Sequence, residues 1–220
     1  MFAEVVLIAK PLPNMPISYP ITLPTTRVRS VQISPRSAVA VAESPFTYQQ
    51  QTYVHPGQAW GLSVTLVPMK RADYEVWLSS LLSLNGREGT FLFGDTAAPN
   101  PQGNIVGSVP VVHGAGQTGS DLIVRGWAVS TSNVMKAGDW VQLGSGSTAR
   151  LFKNLADASS NGSGHATLTL WPKIRTAYAD GAALTVTNPK GLWRLTEEIS
   201  WRELESKLLE GLVFNAVQAL

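Results

Sequence analysis

Apolar residues recur at every second position in run after run of this chain, and that period fits strands and little else. In Trp60-Gly61-Leu62-Ser63-Val64-Thr65-Leu66-Val67 the alternation is strict at Leu62, Val64 and Leu66. A strand throws successive side chains to opposite faces, so such a run buries one face and leaves the other wet. Arg27-Val28-Arg29-Ser30-Val31-Gln32-Ile33 reads the same way, and Phe46 to Val54 reads as a strand with a polar middle. His55-Pro56-Gly57, between two such runs, reads as a turn. At one place the period changes. From Lys70 to Leu84, after Pro68, the residues Tyr74, Trp77, Leu78, Leu81 and Leu82 fall on one helical stripe, and Asn85-Gly86 supplies a left-handed stop. A short strand, Thr90 to Phe93, follows.

The texture shifts again from about Val109 to Val186. Short β runs (Asp121 to Val124, Trp140 to Leu143, Ala149 to Phe152, Ala166 to Leu170, Leu184 to Val186) alternate with turns rich in Gly and Ser, two of which, Gly144 to Ser147 and Ser159 to Gly164, read as long and flexible. Strands at this spacing suggest a small barrel or sandwich. Ala97 to Gly107 and Asn188 to Gly191, rich in Pro, Asn and Gly, read as crossings between two structural units. Near the other end, residues 11 to 24 hold Pro11, Pro13, Pro16, Pro20 and Pro24, which predicts extended chain lying against other structure. The C-terminal segment carries two patterns. Glu197 to Leu209 has good helix formers with Trp201, Leu204 and Leu208 on one face. The same region alternates at Leu195, Ile199 and Trp201, then at Leu212, Phe214 and Ala216, as a strand pair would.

Composition bounds the chemistry. Of 220 residues only 15% are charged, and the 17 basic and 15 acidic residues leave a net charge of +2. Average globular chains carry about a quarter charged residues, so part of this surface is expected to be covered by other subunits, although a β-rich chain with many Thr, Ser and Gly gives the same count. Lys70-Arg71 is the only adjacent basic pair, which argues against a groove that tracks phosphates. There is no cysteine, which excludes disulfides, thiolate nucleophiles and Cys-ligated metals. The apolar run at Val5 to Ala9 is too short to span a bilayer and follows Glu4 rather than a basic residue. The expectation is a soluble, cytoplasmically made protein with no membrane insertion.

No residue set reads as catalytic. His55, His113 and His165 lie in or beside turns, away from any nucleophile elbow or metal spacing. Asp73, Asp95, Asp121, Asp139, Asp157 and Asp180 occupy turn or helix-start positions, where Asp caps backbone N–H groups. Gly114 to Gly119 lacks the Lys-Ser/Thr ending of a phosphate loop. The reading is therefore not an enzyme, with no cofactor and no metal. Of seven tryptophans, Trp60, Trp77 and Trp201 sit in apolar patterns. Trp127, Trp140 and Trp171 are the candidates for carbohydrate contact, which keeps open a second reading as a carbohydrate-binding module acting in host-surface attachment.

Several segments together carry a likeness. They are Ser44-Pro45-Phe46-Thr47-Tyr48-Gln49-Gln50-Gln51 leading to Pro56-Gly57 and Trp60, and Val67-Pro68-Met69-Lys70-Arg71-Ala72-Asp73 opening the helix with Trp77-Leu78. Leu84-Asn85-Gly86-Arg87-Glu88-Gly89-Thr90-Phe91-Leu92 closes it. Lys136 to Gly144, Asp180 to Leu184, Asn188 to Gly191 and Phe214 to Leu220 follow. From about residue 25 onward the chain resembles the distal tail proteins of long-tailed bacteriophages and prophages. The resemblance implies a mainly β subunit of a virion tail, a homo-hexameric ring joining the tail tube protein to the tail tip or hub protein. DNA and the tape-measure protein would pass through its lumen, the DNA without specific binding. A sandwich-like β domain with one helix, about 70–85, would form the belt from residues 1–104 and 188–220. Residues 105–187 would be an inserted small β-barrel or sandwich. On this basis strands are expected at the C-terminus, although Glu203 to Glu210 is more helix-prone than the family pattern.

Overall fold

The computed structural model describes residues 17–204 and 208–220. The first strands are β1 (Ile21–Thr22), β2 (Val28–Glu43), β3 (Gln50–Leu66) and β4 (Met69–Lys70), followed by helix α1 (Arg71–Leu82) and β5 (Phe91–Phe93). A second group comprises β6 (Val111–Val112), β7 (Gly119–Arg125), β8 (Trp140–Leu143), β9 (Arg150–Asn154), β10 (His165–Ile174) and β11 (Leu184–Thr185). The chain then returns with β12 (Gly191–Leu195), β13 (Arg202–Glu203), β14 (Leu208–Glu210) and β15 (Val213–Gln218). The protein is mainly β, a sandwich-like part with one helix among the described residues, joined to a small barrel.

The first six-stranded sheet runs β1-β5-β12-β15-β3-β2. The alternation in β3 sets its orientation: Leu62, Val64 and Leu66 are buried while Ser63 and Thr65 are half-buried on the other face. Opposite them, α1 contributes Tyr74, Trp77, Leu78 and Leu81, and the small sheet β13-β14-β4 adds Met69. Leu82, assigned to the helical stripe from sequence, points outward instead. The helix stops where Asn85 and Gly86 take φ of 50° and 64°, a left-handed pair that few other residues adopt without strain. In this core Phe214 meets Trp77 and Phe91, each at a centroid distance of 6.1 Å. The indoles of Trp77 and Trp193 donate to Thr26 O at 3.1 Å and Phe93 O at 2.8 Å, so no polar cost accompanies their burial.

The C-terminal segment forms strands rather than a helix where it is regular. β15 lies between β12 and β3, paired on both sides, and in the helix-prone stretch β14 pairs with β13 and β4, tertiary pairing that overrides local helix propensity. Of the helix-prone stretch, residues 205–207 lie outside the described residues. Of the proline-rich segment, residues 11–16 also lie outside them. Its last part rests on the protein's own sheet, where Ile21 and Thr22 pair in parallel with Phe91 and Leu92.

The second six-stranded sheet runs β11-β8-β9-β10-β7-β6. Its two edges approach each other: Val111 bridges to Ala183, and Leu184 N–H donates to Pro110 O at 3.0 Å. That closure makes the sheet nearly a barrel, filled by Leu122, Val124, Val141, Leu168 and Leu170. The loop at Ser159 to Gly164, expected to be flexible, is tied down. Thr131 N–H donates to Ser160 Oγ at 2.9 Å, and Asn161 Oδ1 accepts from Ser163 N–H and His165 N–H. The two crossings meet where Asn188 N–H donates to Pro99 O, and the second packs closely on Gly94, where a Cβ would overlap the carbonyl of Pro189.

Candidate functional site

The hairpin β2–β3 extends well past the sheet that holds its root. The last residue of β3 paired to β15 is Gly61. Beyond it β2 is the only strand neighbour of β3 among the described residues, with Pro35 opposite Trp60 and the ladder continuing to Glu43 opposite Gln50. At about 3.3 Å per residue, the ribbon from Ser34 to Glu43 reaches roughly 30 Å. The expected turn at His55-Pro56-Gly57 is not there: β3 runs straight through it. The chain reverses at Ser44 to Gln49 instead, where Ser44 N–H donates to Gln49 O, Tyr48 N–H donates to Ser44 O and Tyr48 takes φ of 55°. Proline removes a ladder donor but does not end a strand whose edge is open, and here the strand has an open edge.

Cross-strand partners share a face. Val39 with Val54 and Val41 with Thr52 therefore lie on one side of the ribbon, and Ala40 with Tyr53 and Ala42 with Gln51 on the other. Neither side is covered. All residues of Pro35–Glu43 and Gln50–Pro56 are exposed. At the tip Phe46 is 92% exposed and Tyr48 75% exposed. A two-stranded ribbon alone is marginal in water, and burying each such side chain would return about 1.5–3 kcal/mol. An open-edged ribbon with apolar side chains on both faces has the features by which exposed strands pair with other chains. Pro35, Pro56 and the register shift between Ser37 and Val39 interrupt its edges, which limits indiscriminate strand pairing. The arm went unread in the sequence between Ser34 and Glu43. Its signal was the Ala/Val alternation from Ala38 to Ala42, hidden behind Pro35.

The tryptophans proposed for sugar contact have other work. Trp127 is 4% exposed and sits in the barrel core; Trp140 is 5% exposed. Trp140 and the half-buried Trp171 converge on Trp60 at the base of the arm, with ring centroids 5.2 and 4.1 Å away in edge-on geometry. The Trp60 indole donates to Leu151 O at 3.0 Å, and the Trp140 indole to Asp95 Oδ2 at 3.0 Å. Lys153 Nζ lies 4.2 Å from the centre of the Trp140 ring, a cation–π contact. These three indoles bind barrel to sheet, and the faces of Trp127 and Trp140 are occupied by protein.

His113 and His165, distant in sequence, stack with centroids 4.2 Å apart. Arg125 Nη1 lies 3.2 Å from His113 Nδ1 and forms a two-pronged pair with Asp180 at 2.7 and 3.1 Å. The Gly114 N–H and the Arg125 guanidinium hold the Asp180 carboxyl below its ordinary value. His55 stands apart on the arm. Buried Asp139 accepts three backbone N–H bonds, from Gln102, Gly103 and Lys136, and fastens the crossing to the barrel. Among the described residues no cluster of three or more His, Asp or Glu could hold a metal ion, and no helix is long and apolar enough to cross a membrane. No family model and no curated protein matches the sequence.

Proposed function

We propose that this chain is a structural subunit that assembles with copies of itself through the β2–β3 arm, in the manner of a distal tail ring. The bare arm carries the reading: a ribbon about 30 Å long, open at its edges and apolar on both faces, is covered by no described residue and would gain stability from a neighbour. The low charge of 15% over the whole chain and the resemblance of its segments to distal tail proteins support the same reading. Six copies would form a closed ring between tail tube and tail tip, with DNA and the tape-measure protein passing through the lumen. A head-to-tail arm contact repeated with rotational closure gives such a ring without leaving a free edge. The activity is then mechanical rather than enzymatic. The alternative, sugar stacking on Trp127, Trp140 and Trp171, has no exposed pair of indole faces to stand on.

The test is location. Gold-labelled antibody against this protein, imaged on intact particles from cells that produce it, should mark the junction of tail tube and tail tip. Label along the tube, on the head or absent from particles would overturn the assignment.

A further inference from the structure

Between β9 and β10 of the barrel, the loop after β10 and the end of β15 lies a cavity of about 590 Å³, with Phe152, Ile174 and Tyr178 among its apolar walls and Arg150, Lys173 and Arg175 among its polar ones. A shallower recess shares Arg175 with it and adds Arg36. No Asp or Glu side chain lines either space. Among the described residues the ion pairs are Arg27–Asp73, Arg71–Glu75 and Arg125–Asp180, so none of these four cations is paired. Neutral groups hold two of them in place. Arg150 donates to Ala149 O at 3.0 Å, and Arg175 to Gln58 O at 2.6 Å. Burial lowers the Arg150 guanidinium from its ordinary value; Tyr178 partly offsets this and nearby Arg175 adds to it. Burial also raises Tyr178, which is therefore a neutral hydroxyl at physiological pH.

A half-buried cation without a counter-charge is costly, and an anion placed against it recovers that cost. A guanidinium fork matches the two oxygens of a carboxylate. The volume suits a small molecule, and pockets of this kind pair apolar walls with a few orienting polar groups. We propose that this cavity is a binding site for a small carboxylate carried on an apolar, ring-sized body. The carboxylate sits against Arg150, with Lys173 and Arg175 at the mouth, and the ring lies between Phe152, Ile174 and Tyr178. The site is independent of the assembly reading, since it lies within one chain.

Calorimetric titration of the full chain tests it with three probes of similar size. 1-Naphthoate should bind one per chain, and its affinity should fall as salt is raised. Neutral 1-naphthalenemethanol, which lacks the charge, and D-glucuronate, which lacks the apolar body, should each bind at least about tenfold more weakly. Arg150→Gln should weaken naphthoate binding by about tenfold or more. Should that variant melt early, Lys173→Gln, an exposed change, should still weaken it several-fold without moving the melting temperature. Absence of naphthoate binding, equal affinity for the neutral alcohol, tighter binding of glucuronate, or full affinity in both variants would overturn the proposal.

Discussion

The two halves of one hairpin differ in everything but secondary structure. At the root, Leu62, Val64 and Leu66 of β3 vanish into a core shared with Trp77 and Phe214. Further along the same two strands, Val39, Val41, Tyr53 and Val54 stand in solvent. The ladder is continuous, and the residue types at both ends suit strands. The difference is that β15 and α1 cover the root, while no other described residue covers the rest. Backbone pairing therefore explains how the arm is shaped but not what it is for. Its apolar side chains are exposed in the single chain, which is why we propose a contact between chains for them.

Mutations along the hairpin should expose that gradient. The largest effect is expected where root meets arm. Trp60→Ala removes an indole packed on Trp140 and Trp171 and the bond to Leu151 O, and should cost about 4 kcal/mol by chemical denaturation. Because Trp60 joins sheet to barrel, calorimetry of this variant should show two unfolding transitions in place of one. Leu66→Ala at the root should cost about 3 kcal/mol through the cavity it leaves. On the arm, Phe46→Ala or Val41→Asp should shift the stability of the isolated chain by no more than about 0.5 kcal/mol, while weakening self-association in sedimentation experiments. A strongly destabilising Val41→Asp in the monomer would break the comparison, since it would mean the arm packs on its own chain.

The smallest effect sits away from the hairpin, in the barrel. The folded-state value of Asp180 is depressed, so its stabilisation is present above the unfolded value of about 3.9 and fades as pH falls through the lower folded value. Thermal melts should therefore show an acid-side loss that is shallower in Asp180→Asn, with neutral-pH stability little changed because the pair is exposed.

The parts of this fold that were legible in the sequence are those where one face is buried. Alternation located the β3 root and the barrel strands, and the Tyr74–Trp77–Leu78–Leu81 stripe located α1 with its Asn85-Gly86 stop. C-terminal strands were expected from family likeness against local propensity, and the pairing of β14 with β13 and β4 explains why propensity lost. The arm was not legible, for a physical reason. Alternation signals a strand through contrast between faces, and a ribbon wet on both sides in the monomer has none, while Pro35 and Pro56 read as breaks. The tryptophan cluster was equally hidden. Trp60, Trp140 and Trp171 are far apart in sequence, and nothing local distinguishes an indole aimed at solvent from one aimed at another domain. The same holds for the cavity, whose cations Arg150, Lys173 and Arg175 come from two strands and the loop after β10.

The central claim is that the arm exists to hold copies of this chain together, and sedimentation analysis of two proteins tests it most directly. One is the full chain; the other has Arg36–Gly57 replaced by a tight two-residue turn. The full chain should assemble with rising concentration toward a mass six times that of one copy, while the shortened chain should keep its melting temperature and stay monomeric. A full chain that remains a single copy at high concentration, or a shortened chain that assembles equally well, would contradict it.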